Sequence, residues 1–440
     1  MAKSVSTPEA QQPADRLAPG NAKAMDHRQG PQPVPSPPLR VLYVVSLFPS
    51  LSETFIAREI HALIEGGIDV RILSLKPPTD LIVQPLARSL LDRVLHPANW
   101  FHTVLSTMKT VARNPALMMG FSFTVARGLW RHPMAMLKSI AAITLAMGRL
   151  EDIRAYGPKL IHAPWATYPA TVAWILSRLM DLPFSFTSRA HDIFVRGHLM
   201  PGKLANAALA VTITEHNVRY MNRWMPTPGA VPIQVIHSAL NLNDLHFVTK
   251  GRAPARLLSV GRLVPQKGFD VLLRAIAILR SRGTRLECTI IGEGVERAKL
   301  ESLRASLDLV DAVDLPGGMP NDVVINHMSS ASIMVLPCVV APDGSSDGIP
   351  NVLMEAMATG LPVISTSISG IPELVEDGVS GRLVPAGDAN ALADAIQSMI
   401  DDPLKRERFA MAGRKKVERE FDVRVEAGRL LKHFLAVCHA

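Results

Sequence analysis

Cysteine is nearly missing from this sequence: three in 440 residues, Cys288, Cys338 and Cys438. So small and odd a number, at wide spacing, argues against a disulfide framework and against a cysteine metal site. Reduced thiols and a cytoplasmic location are expected instead. Long apolar runs are missing too. No stretch offers about 18 uncharged apolar residues, which argues against a spanning helix. Residues 1–38 are rich in Pro, Gln and Ala and lack the apolar segment of a signal peptide, so they read as a disordered leader. Clusters of His or Asp at metal-ligand spacing are absent, as is an Asp-x-Asp pair, and no metal or other cofactor is expected.

What remains is globular material, 48% apolar and 20% charged. A chain of 440 residues is too long for one ordinary core and suits two domains of about 200 residues each. The formal net charge is +8 and the pI near 9.5, which favours anionic partners such as nucleotides, phosphates, nucleic acid or acidic lipid.

Order begins at Leu39. RVLYVVS (40–46) is a short apolar run of the kind buried on both faces of a parallel sheet. A helical pattern follows from Thr54 to Glu65, closed by Gly66 and Gly67, then a strand at DVRILSL (69–75). Further strands are expected at 159–165, 183–188, 209–214 and 233–238. The alternation restarts at RLLSVGRL (256–263), continues through a helix at 270–281, and adds strands at 286–294, 333–338, 361–367 and 381–385. Two such runs predict an α/β protein of two doubly wound, Rossmann-like domains facing across a cleft. The expected bounds are 39–245 and 246–415, with a C-terminal helix at 416–440 packing back on the first domain.

One segment departs from the alternation. From Arg93 to Arg149 there are seven Lys or Arg and no Asp or Glu, interleaved with WFHTVLSTM, ALMMGFSFTVARGLW and MAMLKSIAAITLAM. Helices with basic and apolar faces suit an anionic membrane surface. The alternative is ordinary helices of the first domain with the basic residues in water, and the missing acids tip the reading to the membrane surface.

The stretch DGIPNVLMEAMATG places Asp347 and Glu355 eight apart around a helix start. Pro350 suits the first turn of that helix and Gly360 its end. Free N–H groups from Gly348 through Ile349, Pro350 and Asn351 to Val352 (Pro itself excepted) would attract anions. Two carboxylates accept hydrogen bonds from sugar hydroxyls. A capping Asp and a solvated Glu would explain the same residues. GRLVPQKG (261–268) ends a strand and offers Arg262 and Lys267 to a diphosphate, although two surface cations would read the same. IIGEG (290–294) adds Gly292 and Glu293 at a turn that permits close backbone approach.

Taken in order, GRLVPQKG, IGEG, DGIPNVLME and SGIPELVEDGVSGRLV resemble the C-terminal domain of the retaining glycosyltransferases of family 4, which have the GT-B fold. FPSLSETFIAREI resembles the bacterial exopolysaccharide members, such as the colanic acid glycosyltransferases. The resemblance implies that Arg262 and Lys267 bind the donor diphosphate and that Glu355 holds the ribose. Asp347 takes the place of an acid, usually Glu, that faces the transferred sugar. Gly348 to Asn351 lend backbone N–H groups, and Gly292 and Glu293 lie on the donor side. Where the family carries a Thr-x-His pattern, TSRAHD puts Arg189 in the His position, with His191 two residues on as a substitute or as a structural His. PSLSET replaces the relatives' glycine-rich loop. There Ser52, Glu53 and Thr54 stand on the acceptor side, with Ser50, or else Ser50 and Glu53 form a capping box. His162 and His237 are given no chemical role.

The implied function is retaining transfer of a hexose from a UDP- or GDP-sugar to a lipid-linked saccharide acceptor. The enzyme would work peripherally at the inner face of the cytoplasmic membrane in cell-surface polysaccharide synthesis. Nucleic acid is not an expected partner. A nucleotide-sugar epimerase of the same fold, or a non-catalytic sugar-nucleotide-binding partner, are the alternatives.

Overall fold

Two parallel sheets organise the chain, and each is ordered around its own first strand. The computed structural model describes residues 38–439 apart from 51–52, 79–84, 195–196, 226–230 and 232. The expected leader and Ser52 therefore lie outside the described residues. The first sheet contains β1 (Arg40–Val45), β2 (Asp69–Ser74), β3 (Val94–Leu95), β4 (Leu160–Ala163), β5 (Phe184–Ser188), β6 (Leu209–Thr212) and β7 (Ile233–Val235), in the order β3-β2-β1-β4-β5-β6-β7. The second contains β8 (Arg256–Val260), β9 (Glu287–Ile291), β10 (Val313–Gly317), β11 (Ile333–Leu336), β12 (Val363–Thr366) and β13 (Arg382–Val384), in the order β10-β9-β8-β11-β12-β13.

The continuous apolar runs form central strands because helices cover both faces. Val41 to Val45 are all buried, and the two sides of β1 feed two separate apolar clusters. The helix Thr54–Glu65 has the expected bounds, and Gly67 at φ 92° follows it. Two strands escaped the sequence reading. β3 has only two residues, and β10, VDLPG, alternates buried with exposed positions and contains Pro316. Both are edge strands, where a missing N–H and a polar face are tolerated.

Sheet order locates the crevices. In each sheet the winding reverses between the first strand and a neighbour, at β1/β4 and at β8/β11, and ligands of such folds bind beyond the carboxyl ends there. The loops leaving β8 and β11 carry Arg262, Lys267 and Asp347. Those leaving β1, β4 and β5 carry Glu53, Trp165 and Arg189.

The chain passes between the sheets twice, and the crossings are tied side by side: Leu240 N–H donates to Phe421 O at 2.9 Å and Val423 N–H to Leu240 O at 2.9 Å. The last helix, Val423–His439, then puts Ala427, Leu430 and Phe434 into the cluster around Val41, Tyr43 and Val45 of the first sheet.

The basic segment folds as three helices, Trp100–Arg113, Pro115–Leu129 and Pro133–Met147. The second buries Phe121, Val125 and Leu129 in the ordinary way, but burial in the first is reversed from that of an ordinary soluble helix. The inward positions of the first are Thr103 and Thr110, while Trp100, Phe101 and Met108 are 65% to 77% exposed.

Candidate active site

Lys267 ends a short turn after β8 and is largely buried. Its stem runs past Gly261, and its Nζ lies 2.9 Å from Asp347 Oδ2. The Cys338 thiol also donates to that oxygen, at 3.6 Å. Two of the acids and bases singled out from sequence are thus one ion pair across the β8/β11 switch point. Gly268 makes this approach possible: at φ 66° it sits so close to Pro337 that an added Cβ would be 2.0 Å from the carbonyl oxygen. Arg262, in the same loop, is exposed and has no ion-pair partner among the described residues.

Gly292 and Gly294 perform a similar service between the β8 and β9 loops. A Cβ on Gly292 would meet Gly261 O at 1.9 Å, and one on Gly294 would meet Leu263 O at 2.3 Å. The carboxylate of Glu293 is turned onto Arg297 at 2.8 Å. The backbone of this turn, rather than the Glu293 side chain, is what faces the crevice loop.

The helix expected from Pro350 spans Asn351–Ala358, with Pro350 at the N-cap position one residue before the place expected for it. Leu353 is the first residue bonded back, to Pro350 O at 3.0 Å. The N–H groups of Asn351 and Val352 have no partner within the helix. Ile349 packs inward against Gly370, so only its backbone is available. Glu355 sits one turn into the helix in a desolvated position. Burial pushes its carboxyl up, and Arg58 of the first domain draws it back down. The effect is mutual: burial lowers the Arg58 guanidinium, opposed by Glu355 and Asp244. Arg58 donates to Thr54 Oγ1 at 2.9 Å.

On the opposing wall, Arg189 occupies the carboxyl end of β5. Its guanidinium lies 3.8 Å from the Phe55 ring centroid and 5.8 Å from that of Trp165, and Nη1 donates to Ser238 Oγ at 2.6 Å. Nε has no partner among the described residues. Burial lowers this group, against the pull of Glu59, Asp192 and Glu53. Burial raises Glu53, against the neighbouring Trp165 and Arg189, and raises Glu59, against Arg189 and the Tyr43 hydroxyl that donates to it at 3.0 Å. Glu53 is itself the N-cap position of the Thr54 helix and makes no side-chain cap bond. The capping box with Ser50, which needs Glu53 three residues inside, is not formed. His191 stands in the short helix Ala190–Phe194, and its side chain lies outside the described set.

The two histidines left without a role are both structural in position. His162 is fully buried between Tyr43 and Phe434, bonded to Ser185 and Thr187, and burial lowers it to about 3. His237 lies at the crossing, its backbone N–H on Glu426 Oε2 at 2.7 Å and its ring 3.6 Å from Glu373. Glu373 also accepts from the N–H groups of Glu215 and His216 at 2.9 and 3.0 Å, latching the second domain to a helix start of the first. Among the described residues no group of three or more His, Cys, Asp or Glu is placed to hold a metal ion.

Arg58, Glu59, Trp165 and Glu373 were not singled out in the sequence. Three of them lie inside or beside motifs already quoted, FPSLSETFIAREI and SGIPELVEDG, where the hydroxyls and glycines drew attention first.

Two Rossmann-type sheets facing across such a cleft define the GT-B class of fold. A crystal structure of Anabaena HepE in complex with UDP superposes with a TM-score of 0.64 at 17% identity, covering 90% of this chain and all of that one. Residues 246–416 match the family described as Glycosyl transferases group 1. The amylovoran biosynthesis glycosyltransferase AmsK of Erwinia amylovora is 45% identical over 169 residues, 38% of this chain and 42% of AmsK. WcaL of Salmonella typhimurium, named for colanic acid biosynthesis, is 41% identical over 201 residues, 44% of this chain and 49% of WcaL. The chain thus spans less than half the length of these curated relatives.

Proposed function

We propose that this chain is a retaining glycosyltransferase that moves a hexose from a UDP- or GDP-sugar to a lipid-linked saccharide in exopolysaccharide synthesis. The observation that carries the reading is the Lys267–Asp347 pair at the second switch point. It shares a loop with Arg262, which has no ion-pair partner among the described residues, and precedes a helix start whose Asn351 and Val352 N–H groups have no partner within the helix. Cations and amides fixed in advance around a departing diphosphate stabilise charge as it develops. The bond from sugar C1 to the phosphate oxygen breaks, and the bond from C1 to the acceptor oxygen forms on the same face. The acceptor proton passes to the diphosphate. That route needs no strong protein base, and with cations at the phosphate it needs no metal. Glu355 accepts from the ribose hydroxyls, and Asp347 fixes Lys267 while facing the sugar. HepE's complex with UDP and the names of AmsK and WcaL support the donor class and the pathway.

The membrane surface enters through the three basic helices. Among the described residues no helix is long and apolar enough to cross a membrane. Yet Trp100, Phe101, Met108, Met119, Phe123 and Trp130 face outward, and Arg113, Arg127, Arg131 and Lys138 have no ion-pair partner among the described residues. Soluble monomers rarely leave large contiguous apolar patches in water. A peripheral seat on the anionic cytoplasmic leaflet satisfies both features.

Incubation with a panel of radiolabelled nucleotide sugars and membrane lipid extract tests the reading. Label entering lipid supports it. A changed free sugar without acceptor would instead indicate an epimerase, and binding without turnover a non-catalytic partner.

A further inference from the structure

A cavity of about 340 Å³ opens between the turn that joins the second and third basic helices and the loop after β4. Its size is in the range of small-molecule sites. The walls are of two kinds. Leu129, Pro133, Met134 and Leu199 supply the apolar part of the lining, and Arg131, His132, Lys138 and His198 the polar part, without one acidic residue among them. Neither Arg131 nor Lys138 has an ion-pair partner among the described residues. The His132 and His198 rings lie 4.3 Å apart between centroids, side by side in this lining.

The backbone contributes in the same sense. The 15-residue helix Pro133–Met147 starts in this lining with no side-chain cap, so the positive end of its dipole adds to the four side chains. The far wall is held rigidly. Lys203 spends its ammonium protons on the carbonyls of Ala166, Thr167 and His198, and Gly128 lets the second basic helix close onto Leu199. The 164–168 loop that forms this wall also carries Trp165, which packs against Arg189 in the cleft. One loop therefore borders both the cavity and the active site. On its other side the cavity adjoins the outward-facing Trp130 and Met134.

We infer that this cavity receives the phosphate and first chain segment of the lipid that carries the acceptor sugar. The inference rests on the transferase reading above and specifies its substrate: a phosphorylated, long-chain lipid alcohol, with the phosphate among Arg131, Lys138 and the histidine pair and the chain along Leu129, Met134 and Leu199. Bulk phospholipid would be attracted to the same helices without preferring this cavity.

Equilibrium dialysis of the full chain with labelled farnesyl phosphate, below its micelle concentration, tests this. The wild type should bind it at least tenfold more tightly than farnesol. Arg131→Glu/Lys138→Glu should weaken binding at least tenfold with the melting midpoint unchanged, and Arg131→Ala/Lys138→Ala serves if the reversal perturbs folding. Dihexanoylphosphatidylglycerol at equal concentration should not compete. Equal binding of farnesol, unchanged binding by the variants, or full competition by the phospholipid would overturn the inference. Consumption of nucleotide sugar by the same wild-type preparation is followed in parallel, with membrane lipid extract as the source of acceptor. If it proceeds while farnesyl phosphate fails to bind, the cavity assignment falls and the transferase reading stands. If farnesyl phosphate binds and no nucleotide sugar in the panel is consumed, the transferase reading falls.

Discussion

Lys267 and Asp347 form an ion pair of 2.9 Å across the switch point of the second sheet, both side chains mostly withdrawn from solvent. The pair explains the shorter acid at position 347. An Asp held by Lys267 presents that ammonium in one place instead of letting it sample several. Lys267→Ala is expected to lower turnover by about two to three orders of magnitude, the size of losing one preorganised electrostatic stabiliser. Steady-state transfer of labelled sugar checks it, and near-normal turnover in the variant refutes the role.

Arg58 and Glu355 oppose each other from different domains. Glu355 must be ionised to accept ribose hydroxyls, and burial already raises it against the pull of Arg58. Arg58→Met removes that pull. The acid limb of kcat/KM should therefore move to higher pH, with donor KM rising more than kcat falls. An acid limb that stays in place would separate Arg58 from the donor site.

Gly370 marks a contact between the domains that a single methyl group should disturb. A Cβ there would lie 2.5 Å from Thr214 Cγ2 and 3.0 Å from Ile349 Cγ1. Gly370→Ala is expected to cut transfer at least tenfold while lowering the melting midpoint little. Thr214→Ser deletes the methyl but keeps the hydroxyl that caps the helix at Asn217. The double variant should recover most of the lost activity, and a failure to recover would place the defect elsewhere.

His162 makes stability depend on acid. It is neutral in the folded protein, lowered to about 3 from 6.5, so between those values the unfolded chain binds the extra proton. Stability therefore falls as pH drops below 6.5, by about 2 kcal/mol between pH 7 and pH 5. Urea unfolding at the two pH values measures the loss, and His162→Gln should flatten that part of it. An unchanged pH dependence in the variant contradicts the assignment.

The outward aromatic groups should govern membrane binding without supporting the fold. Trp100→Ser/Phe101→Ser/Met108→Ser is expected to abolish flotation with phosphatidylglycerol vesicles and to leave the melting midpoint unchanged, since exposed positions contribute little to stability. Undiminished flotation would remove these helices from the membrane account.

The sequence made the central strands plain because helices on both faces demand unbroken apolar runs, as at Val41–Val45. Edge strands obey no such demand, which is why β10 with its Pro316 went unread. The proposed donor site was legible as residues because they are grouped in short motifs at the carboxyl ends of β8 and β11. The facing wall of the first domain was less so. Arg189, Trp165 and Glu59 come from three separate segments, and only the parallel packing of β1, β4 and β5 makes them neighbours. The reversed burial of the Trp100 helix was also hidden, because composition does not say which of its faces a domain will take.

A crystal structure with the donor's nucleotide sugar bound tests the central claim most directly. The account predicts the diphosphate against Arg262, Lys267 and the N–H groups at the start of the Asn351 helix, with the ribose on Glu355. A nucleotide seated anywhere else on the second domain would contradict it.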